Sequence, residues 1–102
     1  MHRVIEDNLE ALRDLCVRYR VTRLEVFGSA ATDAFDPKTS DVDLLAEFDL
    51  SGEGSALEQY IGFINAAEKL LGYKVDLVNP TQMRNGSFAQ GVDATRRPVY
   101  AA

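Results

Sequence analysis

The chain holds one cysteine, one histidine and no surplus of positive charge, and each shortage removes a class of function. Cys16 has no second thiol within the chain, so an internal disulfide and a cysteine-based zinc site are both excluded, which suits a reducing compartment. Its apolar neighbours at helical spacing make it a small core residue rather than a nucleophile. His2, at the N-terminus, leaves Ser-His-Asp and Cys-His catalysis without a base. No apolar run approaches the ~18 residues of a membrane span and nothing reads as a signal peptide, so a cytoplasmic protein with no membrane contact is expected. The formal net charge of -5 argues against non-specific nucleic-acid binding, which depends on Lys and Arg displacing counterions. Arg18, Arg20 and Arg23, and Arg96 with Arg97, form local basic groups that read first as solvated surface.

With 102 residues, 46% of them hydrophobic and 26% charged, the composition is that of one compact domain spanning residues 1–102. Such a domain buries only about 60 to 65% of its unfolded surface, so an open site, or one completed by a partner, is expected. Apolar residues Ile5, Leu9, Leu12, Cys16 and Tyr19 recur every three or four positions and predict an amphipathic helix from Ile5 to Tyr19. "VTRLEVFG" predicts a strand ending at Gly28, followed by a turn and the loop "AFDPKTS". "DVDLLAEFDL" predicts a second strand with Asp41, Asp43, Leu45 and Glu47 on one face and Val42, Leu44, Ala46 and Phe48 on the other. Ser55 opens a capping box, and the helix behind it should run to about Leu71, bury Leu57, Ile61, Ile64, Leu70 and Leu71, and stop at Gly72. "YKVDLVN" predicts a third strand, Pro80 a helix that Asn85 and Gly86 would interrupt, and "RPVYAA" an edge strand. The order predicts a small α/β or α+β sheet with helices covering one face.

Two aspartates one residue apart in an apolar strand are costly unless paired, exposed at an edge or bound to a cation. Asp41 and Asp43 project the same way, and like charges that close raise each other's pKa. A divalent cation would remove the penalty, and Mg²⁺ takes one or two carboxylates together with substrate phosphates and water. Asp76 interrupts "KVDLV" as Asp43 interrupts its own strand. If the two strands are neighbours, three carboxylates can converge on a pair of metal ions that clamp the oxygens of a phosphoryl displacement, and Asp76 can accept the proton of the incoming hydroxyl. Gly28 and Ser29 end a strand where backbone N–H groups and a hydroxyl can hold phosphate oxygens. Gly-Ser alone is ordinarily a turn and Asp-x-Asp alone an exposed pair; their order, followed by Asp in a later strand, is more specific.

In that order and spacing, "GS" at Gly28 and Ser29, "SDVDL" from Ser40 to Leu44 and "VDLV" around Asp76 resemble the minimal nucleotidyltransferase domain proteins of the DNA polymerase beta superfamily. The resemblance covers nearly the whole chain. It implies the nucleotidyltransferase fold and Mg²⁺-dependent transfer of a nucleotidyl group, AMP from ATP as the expected case, to a hydroxyl. Asp41, Asp43 and Asp76 would be the catalytic and metal-binding residues, and Gly28, Ser29 and Ser40 would contact the nucleotide. It further implies a helical HEPN-type toxin as partner, modified on a tyrosine, with this chain as antitoxin in a hetero-complex or oligomer. Two alternatives stand beside it: an impaired antitoxin that neutralises by binding, and a transferase acting on a small hydroxylated molecule. One departure bears on the choice, because Thr32 and Asp33 follow Ala31 where the family has Arg and Gly. Thr offers one hydroxyl and Asp adds repulsion where an Arg would pair with triphosphate.

Overall fold

The computed structural model describes residues 1–52, 54–79 and 95–102. The helix and turn expected around Pro80, Asn85 and Gly86 lie outside these residues. Strands β1 (Val21–Phe27), β2 (Val42–Phe48), β3 (Val75–Val78) and β4 (Arg97–Ala101) form one mixed sheet in the order β3-β2-β1-β4. β1 pairs antiparallel with both β2 and β4, while β2 and β3 run parallel. Helix α3 (Ala56–Leu71) supplies the crossover that parallel pairing requires.

The expected N-terminal helix is two helices, α1 (Arg3–Glu6) and α2 (Leu9–Arg18), which corrects the single span read from the periodicity. The break falls at Asn8, whose side-chain amide donates to the Val4 carbonyl at 2.9 Å, so a local side-chain bond serves an end of the first helix. Apolar spacing survives the break, and Ile5, Leu12 and Cys16 are all fully buried. Burial also pushes the Cys16 thiol up to about 12, so it stays protonated and inert.

Helix α3 begins and ends as its sequence dictates. The Ser55 hydroxyl accepts from the N–H groups of Leu57 and Glu58, and Gly72 closes the helix at φ 79°, a left-handed conformation natural to glycine. Its buried face is different from the one expected. Phe63, Ala67 and Leu71 enter the core, Ile64 and Leu70 are half-buried, and Leu57 and Ile61 are 65% and 47% exposed. Two apolar stripes share this helix, and Phe63 wins because its ring meets Tyr19 and Phe48 edge-on, at centroid distances of 6.2 and 5.9 Å.

The helices contribute to a single core with Leu24, Val26, Val42, Leu44, Ala46, Val75 and Leu77 of the sheet. Alternation sends Phe27, Leu45 and Val78 to a separate cluster, and with them the face that carries Asp43 and Asp76. Among the described residues no helix is long and apolar enough to cross a membrane.

Candidate active site

Asp43 and Asp76 are register partners across the parallel β2–β3 pair, and Phe27 stands opposite Asp43 on β1. Val42 and Leu44, like Val75 and Leu77, are drawn into the core, which forces both aspartates to the other face. Asp41 lies one residue before β2 and is exposed, as is Asp76, whereas Asp43 is half-buried. The Asp43 carboxyl is pushed up to about 6, first by burial and then by the charges of Asp76 and Asp41. Asp43 is therefore within electrostatic reach of both other predicted carboxylates, Asp41 and Asp76.

Gly28 follows β1 and opens a single 3-10 turn, Gly28–Ala31. At φ 67° it occupies the left-handed region, and a Cβ there would collide with Oδ2 of Asp43. The Asp43 carboxylate thus rests against the bare Cα of Gly28, so this glycine is required by the carboxylate as much as by the turn. The Gly28 N–H donates to Thr95 Oγ1 at 2.8 Å. Thr95 is a site residue that sequence reasoning missed, and no motif marks it.

The remaining predicted residues have local partners. The Ser29 carbonyl accepts from the N–H and the hydroxyl of Thr32, each at 3.1 Å. Thr32 Oγ1 also accepts from the Ala34 N–H at 3.1 Å, so the residue standing in place of the family's Arg closes the turn. Asp33 is exposed. Ser40 fastens the 36–40 loop, its hydroxyl accepting from the Asp36 N–H at 3.0 Å and its own N–H donating to the Asp36 carbonyl at 2.8 Å. Tyr60 of α3 donates its phenol proton to the Leu77 carbonyl at 2.6 Å, and its pKa is raised by burial and by Asp76.

Beneath the turn, on β1, Glu25 is the one buried charged residue among those described, at 3% exposure. Arg96 forks onto it through Nε at 2.5 Å and a terminal nitrogen at 2.9 Å, and Arg23 Nε approaches at 2.7 Å. The hydrogen bond from Arg96 holds its carboxyl below the ordinary range, against the upward pull of burial. Two of the arginines read as solvated surface are therefore part of the fold's electrostatics.

The donor set fits a hard divalent cation in kind: three carboxylates, one carrying a charge penalty that such an ion would relieve. Among the described residues no three His, Cys, Asp or Glu side chains are gathered closely enough to hold an ion by themselves.

Carboxylates paired across β2 and β3 beside a Gly-Ser turn are the features of a nucleotidyl-transferring fold. The sequence profile of the nucleotidyltransferase domain matches residues 9–99, and the chain belongs to that family. A protein of Methanocaldococcus jannaschii, carried under the provisional name of a protein adenylyltransferase, is 32% identical over 90 residues, 88% of this chain and 85% of its own. A solved structure provisionally described as a minimal nucleotidyltransferase superposes with a TM-score of 0.71 at 31% identity, over 96% of each chain. The same fold recurs in a complex of a tri-AMPylated Shewanella oneidensis HEPN toxin with its MNT antitoxin, with a TM-score of 0.62 at 14% identity, over 95% of this chain and 72% of the other. The chain is thus a nucleotidyltransferase, as Gly28, Ser29, Ser40 to Leu44 and Asp76 led one to expect.

Proposed function

We propose that this single domain transfers AMP from ATP to a tyrosine hydroxyl of a helical HEPN-type partner and acts as that partner's antitoxin. The observation that carries the reading is Asp43, set in register with Asp76, within the field of Asp41 and against Gly28. The name of the archaeal relative and the AMPylated toxin bound by a protein of this fold support the choice of donor and acceptor. Asp41, Asp43 and Asp76 would hold Mg²⁺, which when bound neutralises phosphate charge and orients the displacement. Asp76, the more exposed member of the register pair, takes the proton of the attacking hydroxyl. The new bond forms between that oxygen and the α-phosphorus, the α–β bridging bond breaks, and pyrophosphate leaves with its electron pair. Gly28 and Ser29 orient the triphosphate at the end of β1, and Ser40 keeps the loop before Asp41 in place.

A second reading, an antitoxin that neutralises by binding alone, is favoured by Thr32 and Asp33. The Thr32 hydroxyl already closes the turn, and Asp33 next to it is an exposed acid, which would oppose rather than pair with a triphosphate.

The test mixes the chain with the HEPN-type protein, ATP and Mg²⁺ and weighs the partner by mass spectrometry. Wild type should add an AMP-sized mass. Asp41→Asn and Asp43→Asn should remain folded and still bind the partner, yet add nothing. A wild type that binds and neutralises the partner without changing its mass overturns transfer and selects the binding-only reading.

A further inference from the structure

The first N–H of a 3-10 turn has no partner within the turn, so something else must accept from Gly28. Here the acceptor is a threonine 67 residues further along the chain. Its placement is not incidental to β4. Val26 pairs with Arg97, which brings the residues just before β4 alongside the end of β1. Arg96 then forks onto Glu25, two parallel hydrogen bonds that fix the guanidinium in angle as well as distance. Because Glu25 is buried, losing Arg96 would leave a carboxylate short of a partner in a nearly dry position, so the fork resists displacement. β4 has an apolar anchor of its own in Val99, which is 4% exposed. What the fork adds is a defined position for the neighbouring Thr95, and through it for Gly28. Since Asp43 rests against Gly28, a shift of that turn also alters the space open to the central carboxylate.

We propose that Thr95 and Arg96, anchored on Glu25, are positioning residues: they hold the Gly28–Ala31 turn in the geometry that receives the triphosphate. The inference rests on the nucleotide-binding reading above. Glu25 and Arg96 touch no substrate; they act through Thr95, and Thr95 acts through the Gly28 amide.

Three variants test this in the full chain: Thr95→Val, which keeps shape and loses the acceptor, Thr95→Ser, which keeps the hydroxyl, and Arg96→Lys, which keeps charge and loses the fork. Binding of ATP in the presence of Mg²⁺ is measured by calorimetry, and the Gly28 amide is followed by its exchange rate in ¹H–¹⁵N spectra. Thr95→Val and Arg96→Lys should weaken ATP binding about threefold to tenfold, the ratio that one ordinary hydrogen bond represents, and speed exchange at Gly28. Thr95→Ser should match wild type in both, a rescue that a merely structural loss would not give. If Thr95→Val exchanges faster at Gly28 yet binds ATP as wild type does, the positioning role is overturned and the nucleotide reading stands. If Thr95→Ser is as weak as Thr95→Val, the hydroxyl is not what matters and the proposal also fails. A wild type that binds no ATP overturns both readings together.

Discussion

Asp43 carries an electrostatic penalty in the ligand-free protein, and its sign can be read out. The carboxyl titrates at about 6 when folded against an ordinary 3.8, so between those values the folded chain keeps a proton that the unfolded chain has released. Stability therefore falls as pH rises through this window and stays lower above it. Asp43→Asn removes the charge and keeps the size. In metal-free buffer it should be more stable than wild type by about 1 to 2 kcal/mol at about pH 8, with the gain gone at about pH 2.5, where the wild-type group is protonated in both states. Urea midpoints at the two pH values measure this. An Asn variant that is the less stable of the two at the higher pH would show that the Asp43 charge is held by a favourable partner. The aspartate itself was legible in the sequence, because an acidic residue breaking an apolar alternation has few reasons to be there. The demand that it makes on Gly28 was not, since that rests on a contact between the end of one strand and the side of the next.

At the level of elements, what chain-local chemistry specifies could be read directly: the Ser55 cap, the Gly72 stop, the limits of β1 and the loop at Pro37. Two features were decided by tertiary packing instead. Leu57, Ile61, Ile64 and Leu71 make one helical stripe, and Phe63, Ala67 and Leu71 another, so periodicity alone could not choose between them. In the fold, Phe63 meets Tyr19 and Phe48, while Leu57 lines an open groove of about 660 Å³ with Phe48, Leu50 and Tyr60. The choice has a measurable consequence. Phe63→Ala should lower unfolding free energy by about 3 to 5 kcal/mol, as for other large core residues, whereas Leu57→Ala should change it by no more than about 0.5 kcal/mol. Denaturant titrations that gave the reverse order would return the core to the Leu57 stripe. The 3-10 turn is the second feature. Thr32 looked like a lost phosphate ligand by comparison with the family, yet its hydroxyl bridges Ser29 and Ala34, a role visible only once the turn is built.

Across the whole molecule, the site depends on pairings between distant parts of the chain. The meeting of Asp43 and Asp76 was foreseeable because each interrupts an apolar run at the same place, so one assumption, that their strands are neighbours, brought them together. No such cue existed for Glu25, which sits in an alternating strand like any surface charge yet is buried and paired with Arg23, two residues back on β1, and with Arg96, just before β4. The molecule that results is acidic overall and sets Asp43 within the charge of Asp41 and Asp76, so on the proposed function metal and nucleotide should each be poor ligands alone and good ones together. On that function, ATP without a cation would meet like charge at Asp41, Asp43 and Asp76, and Mg²⁺ without ATP would find too few ligands among the described side chains. Thermal unfolding should reveal this as a non-additive shift. With both present at about a hundredfold over the apparent Kd, the gain of about 2.7 kcal/mol should raise Tm by roughly 10 to 20 °C for a domain of this size, while either alone should give a small fraction of that. In Asp43→Asn the two ligands should lose most of their synergy although the variant starts from a higher Tm. An equal rise with ATP in the presence of a chelator would mean that the carboxylates do not hold the cation that accompanies the nucleotide, and the site would have to be rebuilt around the arginines instead.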